Sequence, residues 1–104
     1  MKEIKDVKAF NEVISQDKPV LLDFYADWCG PCQVLLPTVE KLSKEYDGQV
    51  DILKVNVDSQ RELAAKFQVR SIPSIFFMKG NNVVNSVKGV VSEGELRKRV
   101  EALV

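Results

Sequence analysis

Two cysteines, the only ones in the chain, occupy positions 29 and 32, with Gly30 and Pro31 between them and Trp28 directly ahead. Thiols at this spacing at the start of a helix come to one end of its first turn and can close a small disulfide without unfolding anything. Such a pair can be oxidised and reduced repeatedly. The thiolate is the attacking species, and a cysteine just ahead of a helix N-terminus has its negative charge favoured by the dipole and by unpaired N–H groups. Cys29 holds that position. Cys32, inside the first turn, is expected to be less exposed, which suits a thiol that breaks the mixed disulfide formed by Cys29. Cys-x-x-Cys is also half of a structural zinc site, but the chain has no histidine and no third cysteine to complete one, so no metal is expected. An inert structural disulfide is the remaining alternative.

Asp23 lies between Leu22 and Phe24 in a run that reads as a strand covered on both faces, where a carboxylate must be desolvated or paired. Desolvation raises its pKa and makes it a candidate general base, acting through a water on the proton of Cys32. The competing reading is a carboxylate satisfied by backbone donors. Lys54 is the candidate partner on the next strand, sharing one face with Ile52 and Asn56 while Leu53, Val55 and Val57 take the other. Equally open is a lysine whose stem packs and whose ammonium reaches solvent.

These residues must be positioned by an alternating series of elements. After an extended start near Ile4, Phe10, Val13 and Ile14 take helical spacing up to Gln16-Asp17-Lys18-Pro19. Val20 to Ala26 is nearly continuous apolar sequence of strand length, the form of an inner parallel strand. Pro31 fits the first turn of a helix whose stripe of Leu35, Val39, Leu42 and Tyr46 runs to Gly48, with Pro37 expected to kink it. Ile52–Val57 reads as a second inner strand, and Ser59 with Glu62 as a capping box for a short helix carrying Leu63, Ala64 and Phe67. Ser74–Met78 and Val83–Val87 flank the hairpin composition Lys79-Gly80-Asn81-Asn82. Ser92 and Glu95 then cap a last helix with Leu96, Val100 and Leu103 on one face.

At 104 residues the sequence reads as one domain, 1–104, large enough to fold without staples. Fifteen basic and fifteen acidic residues leave no electrostatic footprint for nucleic acid, and the one basic run, Arg97-Lys98-Arg99, fits a solvated helix end. No apolar stretch has signal-peptide or transmembrane length, so no membrane association is expected and the cytoplasm is the expected location. A close cysteine pair in such a compartment points to catalysis rather than structure.

Taken together these residues resemble the thioredoxin family over essentially the whole chain. The order of elements is similar to that family's, and so is the segment Asp23-Phe24-Tyr25-Ala26-Asp27-Trp28-Cys29-Gly30-Pro31-Cys32, followed at suitable distances by Pro37, Lys54, Ile72-Pro73 and Gly89. The resemblance implies an α/β thioredoxin fold, a central mixed sheet of about five strands flanked by four helices. It implies a monomeric general protein-disulfide reductase with no cofactor beyond its own Cys29–Cys32 disulfide, acting on client proteins with disulfides and recharged by a thioredoxin reductase. Gly30-Pro31 supports the reducing direction, since a histidine in the dipeptide accompanies oxidising or isomerising relatives. Pro73 matches the family's cis-proline, which faces the cysteines and leaves the backbone of Ile72 free to pair with an extended substrate. Trp28, Gly30, Pro31, Ile72, Pro73, Gly89 and Val90 would then form a flat apolar patch for docking, against duller readings of Trp28 as core and Gly89 as a bulge or turn.

Three positions depart from the family pattern. Gln33 stands where a Lys or Arg is usual, Tyr25 replaces a common Trp, and Asn81 takes a place often held by Gly. The alternative function is a redox-independent binding subunit or chaperone-like module that uses the same surface.

Overall fold

The apolar run at Val20 becomes the middle of the sheet. In the computed structural model, which describes residues 1–104, the elements are β1 (Lys2–Glu3), α1 (Val7–Ile14), β2 (Val20–Tyr25), α2 (Gly30–Glu45), β3 (Asp51–Asn56), α3 (Arg61–Lys66), β4 (Ser74–Lys79), β5 (Asn82–Lys88) and α4 (Glu93–Glu101). They form one five-stranded mixed sheet in the order β1-β3-β2-β4-β5. β3 pairs parallel with both β1 and β2, and β4 pairs antiparallel with β2 and β5. Every residue of β2 is buried, as a strand covered on both faces must be. The expected α/β architecture is therefore the observed one.

Helices cover both faces. Leu35, Val39 and Leu42 of α2 join Leu96 and Val100 of α4 over Leu21, Ile52, Ile75 and Phe77. On the other face Phe10 of α1 and Leu63 of α3 pack with Val20, Leu22, Phe24, Leu53 and Val55. The basic run of α4 does not simply face solvent: Arg97 bonds Glu45 at the end of α2 and Glu93 one turn back, while Arg99 bonds Glu95 and Asn85.

Local signals hold in some places and fail in others for identifiable reasons. Asp6 caps α1 by accepting from the Ala9 N–H at 2.7 Å. Ser92 caps α4 through the Glu95 N–H at 3.1 Å, but the Glu95 carboxylate pairs with Arg99, so only half of the expected capping box forms. The Ser59–Glu62 box does not form at all. The cap of α3 is Gln60, which makes no side-chain cap bond and whose amide donates to the Lys5 carbonyl at 2.8 Å; Asn56 Oδ1 holds the Ser59 N–H that Glu62 would bond, together with that of Asp58, and turns the chain off β3. α2 is a continuous helix through Pro37, and Gly48, at φ +85°, lies just past its Tyr46 cap as the expected stop. In the β4–β5 hairpin Gly80 alone takes positive φ, at +60°, so Asn81, in a place often held by Gly, needs no left-handed geometry.

Candidate functional site

α2 begins immediately after Cys29, whose backbone is extended while its sulfur accepts the Cys32 N–H at 3.2 Å. The first turn carries Cys32 back over Cys29, with Cα atoms 5.3 Å apart and a disulfide between the two sulfurs. Pro31 costs this turn nothing, since the N–H it lacks has no partner within the helix anyway. Both cysteines are buried, at 5% and 2% exposure, so the expected contrast between them is small in the disulfide form. They pack with Tyr25 and Ala26 at the C-terminal end of β2, and Val57 and Ile72 close the cluster.

Opposite the disulfide, the Ile72–Pro73 peptide is cis, and the Ile72 carbonyl oxygen lies 3.8 Å from Cys29 Sγ. Pro73 is itself buried; its carbonyl accepts the Gly89 N–H at 2.8 Å, and Gly89 sits at φ +80°. Gly89 thus makes a turn, as its duller reading held, and that turn ties the end of β5 to the cis-proline. Val90 follows, exposed. Trp28 is not core: it is 71% exposed, and its indole N–H donates to Asp58 Oδ2 at 2.8 Å. Gly30 and Pro31 are exposed as well. Of the residues expected to form a docking surface, Trp28, Gly30 and Pro31 are exposed and adjoin the cysteines in sequence, Ile72 packs against the cysteine pair, and Gly89 is tied to the buried Pro73.

A cavity of about 200 Å³ is lined by Trp28, Val57, Val69, Arg70, Ser71 and Ile72. A larger one, about 470 Å³, lies around the C-terminal end of α2 and the starts of β1 and β3, and touches none of these residues. Asp58, Val69, Arg70 and Ser71 were not picked out from sequence. Asp58 carries the one local signal, a polar residue just beyond the C-terminal end of an inner strand, where loops bring side chains to a site.

Asp23 lies on the face of β2 that α2 covers, between Leu21 and Tyr25 in the alternation of the strand. It is 1% exposed, and Oδ1 has no hydrogen-bond partner, so the reading of a carboxylate satisfied by backbone donors does not hold. Burial pushes its pKa from an ordinary 3.8 up to about 7, opposed only by the positive charge of Lys54. Lys54 is its register partner on β3. The ammonium nonetheless lies 3.9 Å from Glu3 and 5.3 Å from the centre of the Tyr25 ring, and makes no ion pair with Asp23. The two readings of Lys54 are thus both partly met: it acts on Asp23 through space and stays about a quarter exposed.

Gln33, in place of the usual cation, reaches the Ala26 carbonyl at 3.5 Å. Tyr25 donates its hydroxyl to Glu3 at 2.7 Å, and burial together with that carboxylate pushes its pKa up to about 12.

The arrangement can exchange a disulfide with an approaching chain: a cysteine at a helix N-terminus, a second thiol one turn on, and a buried group able to hold a proton near neutral pH. Comparison with known proteins agrees. The Thioredoxin family profile matches residues 2–102. Thioredoxin 1 of Nostoc sp. is 36% identical over 99 residues, covering 95% of this chain and 92% of that protein. The crystal structure of Malassezia sympodialis thioredoxin superposes with a TM-score of 0.91 at 31% identity, over 99% of this chain and 90% of that one. The chain is also 36% identical over 102 residues, 98% of its length, to 22% of a Mycobacterium leprae protein named bifunctional thioredoxin reductase/thioredoxin.

Proposed function

The chain belongs to the thioredoxin family and is a protein-disulfide oxidoreductase, and we propose that it works with Cys29 as nucleophile, Cys32 as resolving thiol, and Asp23 with Lys54 managing the proton. The observation that carries this reading is the Cys29–Cys32 disulfide at the N-terminus of α2, beside a buried carboxylate with an unpartnered oxygen. In the reduced protein the Cys29 thiolate attacks one sulfur of a client disulfide; the Cys29–client bond forms, the client's S–S bond breaks, and one client thiolate leaves. Cys32 then gives its proton to Asp23 through a water, and its thiolate attacks Cys29. The Cys29–Cys32 bond forms, the mixed disulfide breaks, and the second client thiolate leaves. Two electrons have passed to the client.

Trp28, Gly30, Pro31, Ile72, Pro73, Gly89 and Val90 form the client surface in this reading, supported by the exposure of Trp28, Gly30 and Pro31 beside the cysteines, by the Ile72 carbonyl 3.8 Å from Cys29 Sγ across the cis peptide, and by the Gly89 N–H bond to Pro73. Recharging requires a two-electron donor, and a thioredoxin reductase fits, as the fused Mycobacterium leprae relative suggests. A pair that acts in its dithiol form fits a reducing compartment, which supports the cytoplasm, and the reading takes the protein as a monomer. Insulin reduction driven by thioredoxin reductase or dithiothreitol tests it. Cys29→Ser abolishes turnover above background, and Cys32→Ser accumulates mixed disulfides with clients; unchanged turnover in Cys29→Ser overturns the assignment.

A further inference from the structure

Glu3, Lys54 and Asp23 form a row across three neighbouring strands. Glu3 of β1 is the register partner of Lys54 on β3, and Lys54 is the register partner of Asp23 on β2, so all three side chains leave the same face of the sheet. One cation stands between two carboxylates. The row is not symmetric: Lys54 Nζ lies 3.9 Å from Glu3 Oε1 and pairs with no oxygen of Asp23. Two contacts hold it on the Glu3 side. The Tyr25 hydroxyl donates to Glu3 at 2.7 Å, which fixes the carboxylate, and the Tyr25 ring lies 5.3 Å below the ammonium, which a ring face attracts. Tyr25 belongs to the same face of β2 as Asp23, two residues on, opposite Asn56.

We propose that Glu3, anchored by Tyr25, is a positioning residue that holds the Lys54 ammonium away from direct pairing with Asp23, so that Asp23 stays an unpaired carboxylate able to accept a proton. Its consequence for catalysis rests on the assignment of Asp23 as the base for Cys32. The physical alternatives for Asp23 differ sharply. A carboxylate in direct contact with a cation is held in its charged form and is a poor proton acceptor near neutrality, whereas one that feels the same cation only through space keeps the effect of burial. The other charged or titratable groups on this side are few. Glu40 of α2 feels Lys54 but is itself bonded by the Met1 ammonium at 2.6 Å; Asp27 beyond β2 acts on Tyr25; and Cys32 of α2 lies over this end of the strand.

Glu3→Gln tests this, because the amide oxygen can still accept from Tyr25 while the charge that holds Lys54 is gone. The Asp23 carboxyl titration is followed by carbon NMR in the full chain. Alongside it, stopped-flow release of thionitrobenzoate from the Cys29 mixed disulfide gives the pH profile of resolution. In Glu3→Gln the Asp23 midpoint moves down by roughly one pH unit as Lys54 turns to Asp23. The same substitution made in Lys54→Met moves it by less than a third of that, since the effect runs through Lys54. An equal shift in both backgrounds, which is what the direct field of Glu3 would give, overturns the proposal, as does no shift in either. If the midpoint moves as stated but the resolution profile stays put, Glu3 is confirmed as positioning Lys54 and it is the base assignment of Asp23 that fails.

Discussion

Along β2, Val20, Leu22 and Phe24 turn to one face of the sheet and Leu21, Asp23 and Tyr25 to the other, and the two faces are built differently. Under α1 and α3 the strand meets only apolar groups. Phe24 lies against the rings of Phe67 and Phe76 at centroid distances of 5.2 and 5.5 Å, the first pair tilted and the second in the T-shaped arrangement that aromatic pairs favour. Under α2 the same strand inserts a carboxylate with an unpartnered oxygen and a tyrosine tied to Glu3. The face that stabilises and the face that reacts are alternate residues of one strand, so the rigidity of the first fixes the geometry of the second.

The largest expected effect breaks the apolar face. Phe24→Ala removes a fully buried ring from the centre of the aromatic cluster and costs about 3–5 kcal/mol, read as a lowered urea midpoint. On the reacting face the sign reverses. Asp23 has its pKa raised from 3.8 to about 7, so its burial costs nothing below about pH 4, costs more as pH rises through the folded value, and levels off above it. A shift of that size corresponds to roughly 4 kcal/mol once the group is fully ionised. Asp23→Asn therefore raises stability by about 2–4 kcal/mol at pH 8 and by little at pH 4, while slowing release from the mixed disulfide. Urea unfolding at the two pH values checks this, and an Asn variant destabilised at pH 8 would sink the contrast between the faces.

How much of this was legible in the chain follows from what each feature depends on. β2 and the stripe of α2 declare themselves in runs and periods a few residues long, and Asp23 stands out because a charge interrupts such a run. At α3, Ser59 and Glu62 have the spacing of a box, but the helix caps one residue later, at Gln60, and Asn56 Oδ1 holds the Ser59 N–H that Glu62 would have bonded. The cis bond before Pro73 has no local signature and was legible only through the family resemblance. The anchors of the site are longer-range still. Trp28 meets Asp58 across 30 residues and Tyr25 meets Glu3 across 22, and spacing along a sequence does not encode which loop or edge strand folds back to which side chain.

The smallest expected effect lies where the two regions join. Gln68 follows the Phe67 cap of α3 at φ +54°, and the Val69 N–H returns to the Ala64 carbonyl at 2.9 Å, a helix stop that ordinarily uses glycine in the left-handed position. A side chain there carries a cost of about 1–2 kcal/mol, partly offset in a glycine variant by the greater freedom of the unfolded chain. Gln68→Gly is therefore expected to gain roughly 0.5–1 kcal/mol in urea unfolding. The chain runs on from this residue through Val69, Arg70 and Ser71, which line the cavity beside Trp28, to Ile72 and the cis-proline. If the α3 side supplies rigidity and the α2 side chemistry, the variant gains stability while insulin reduction stays unchanged. A stabilised variant with impaired reduction would instead show that the stop of α3 sets the approach of Ile72 to the disulfide, and that the apolar face reaches into the reaction.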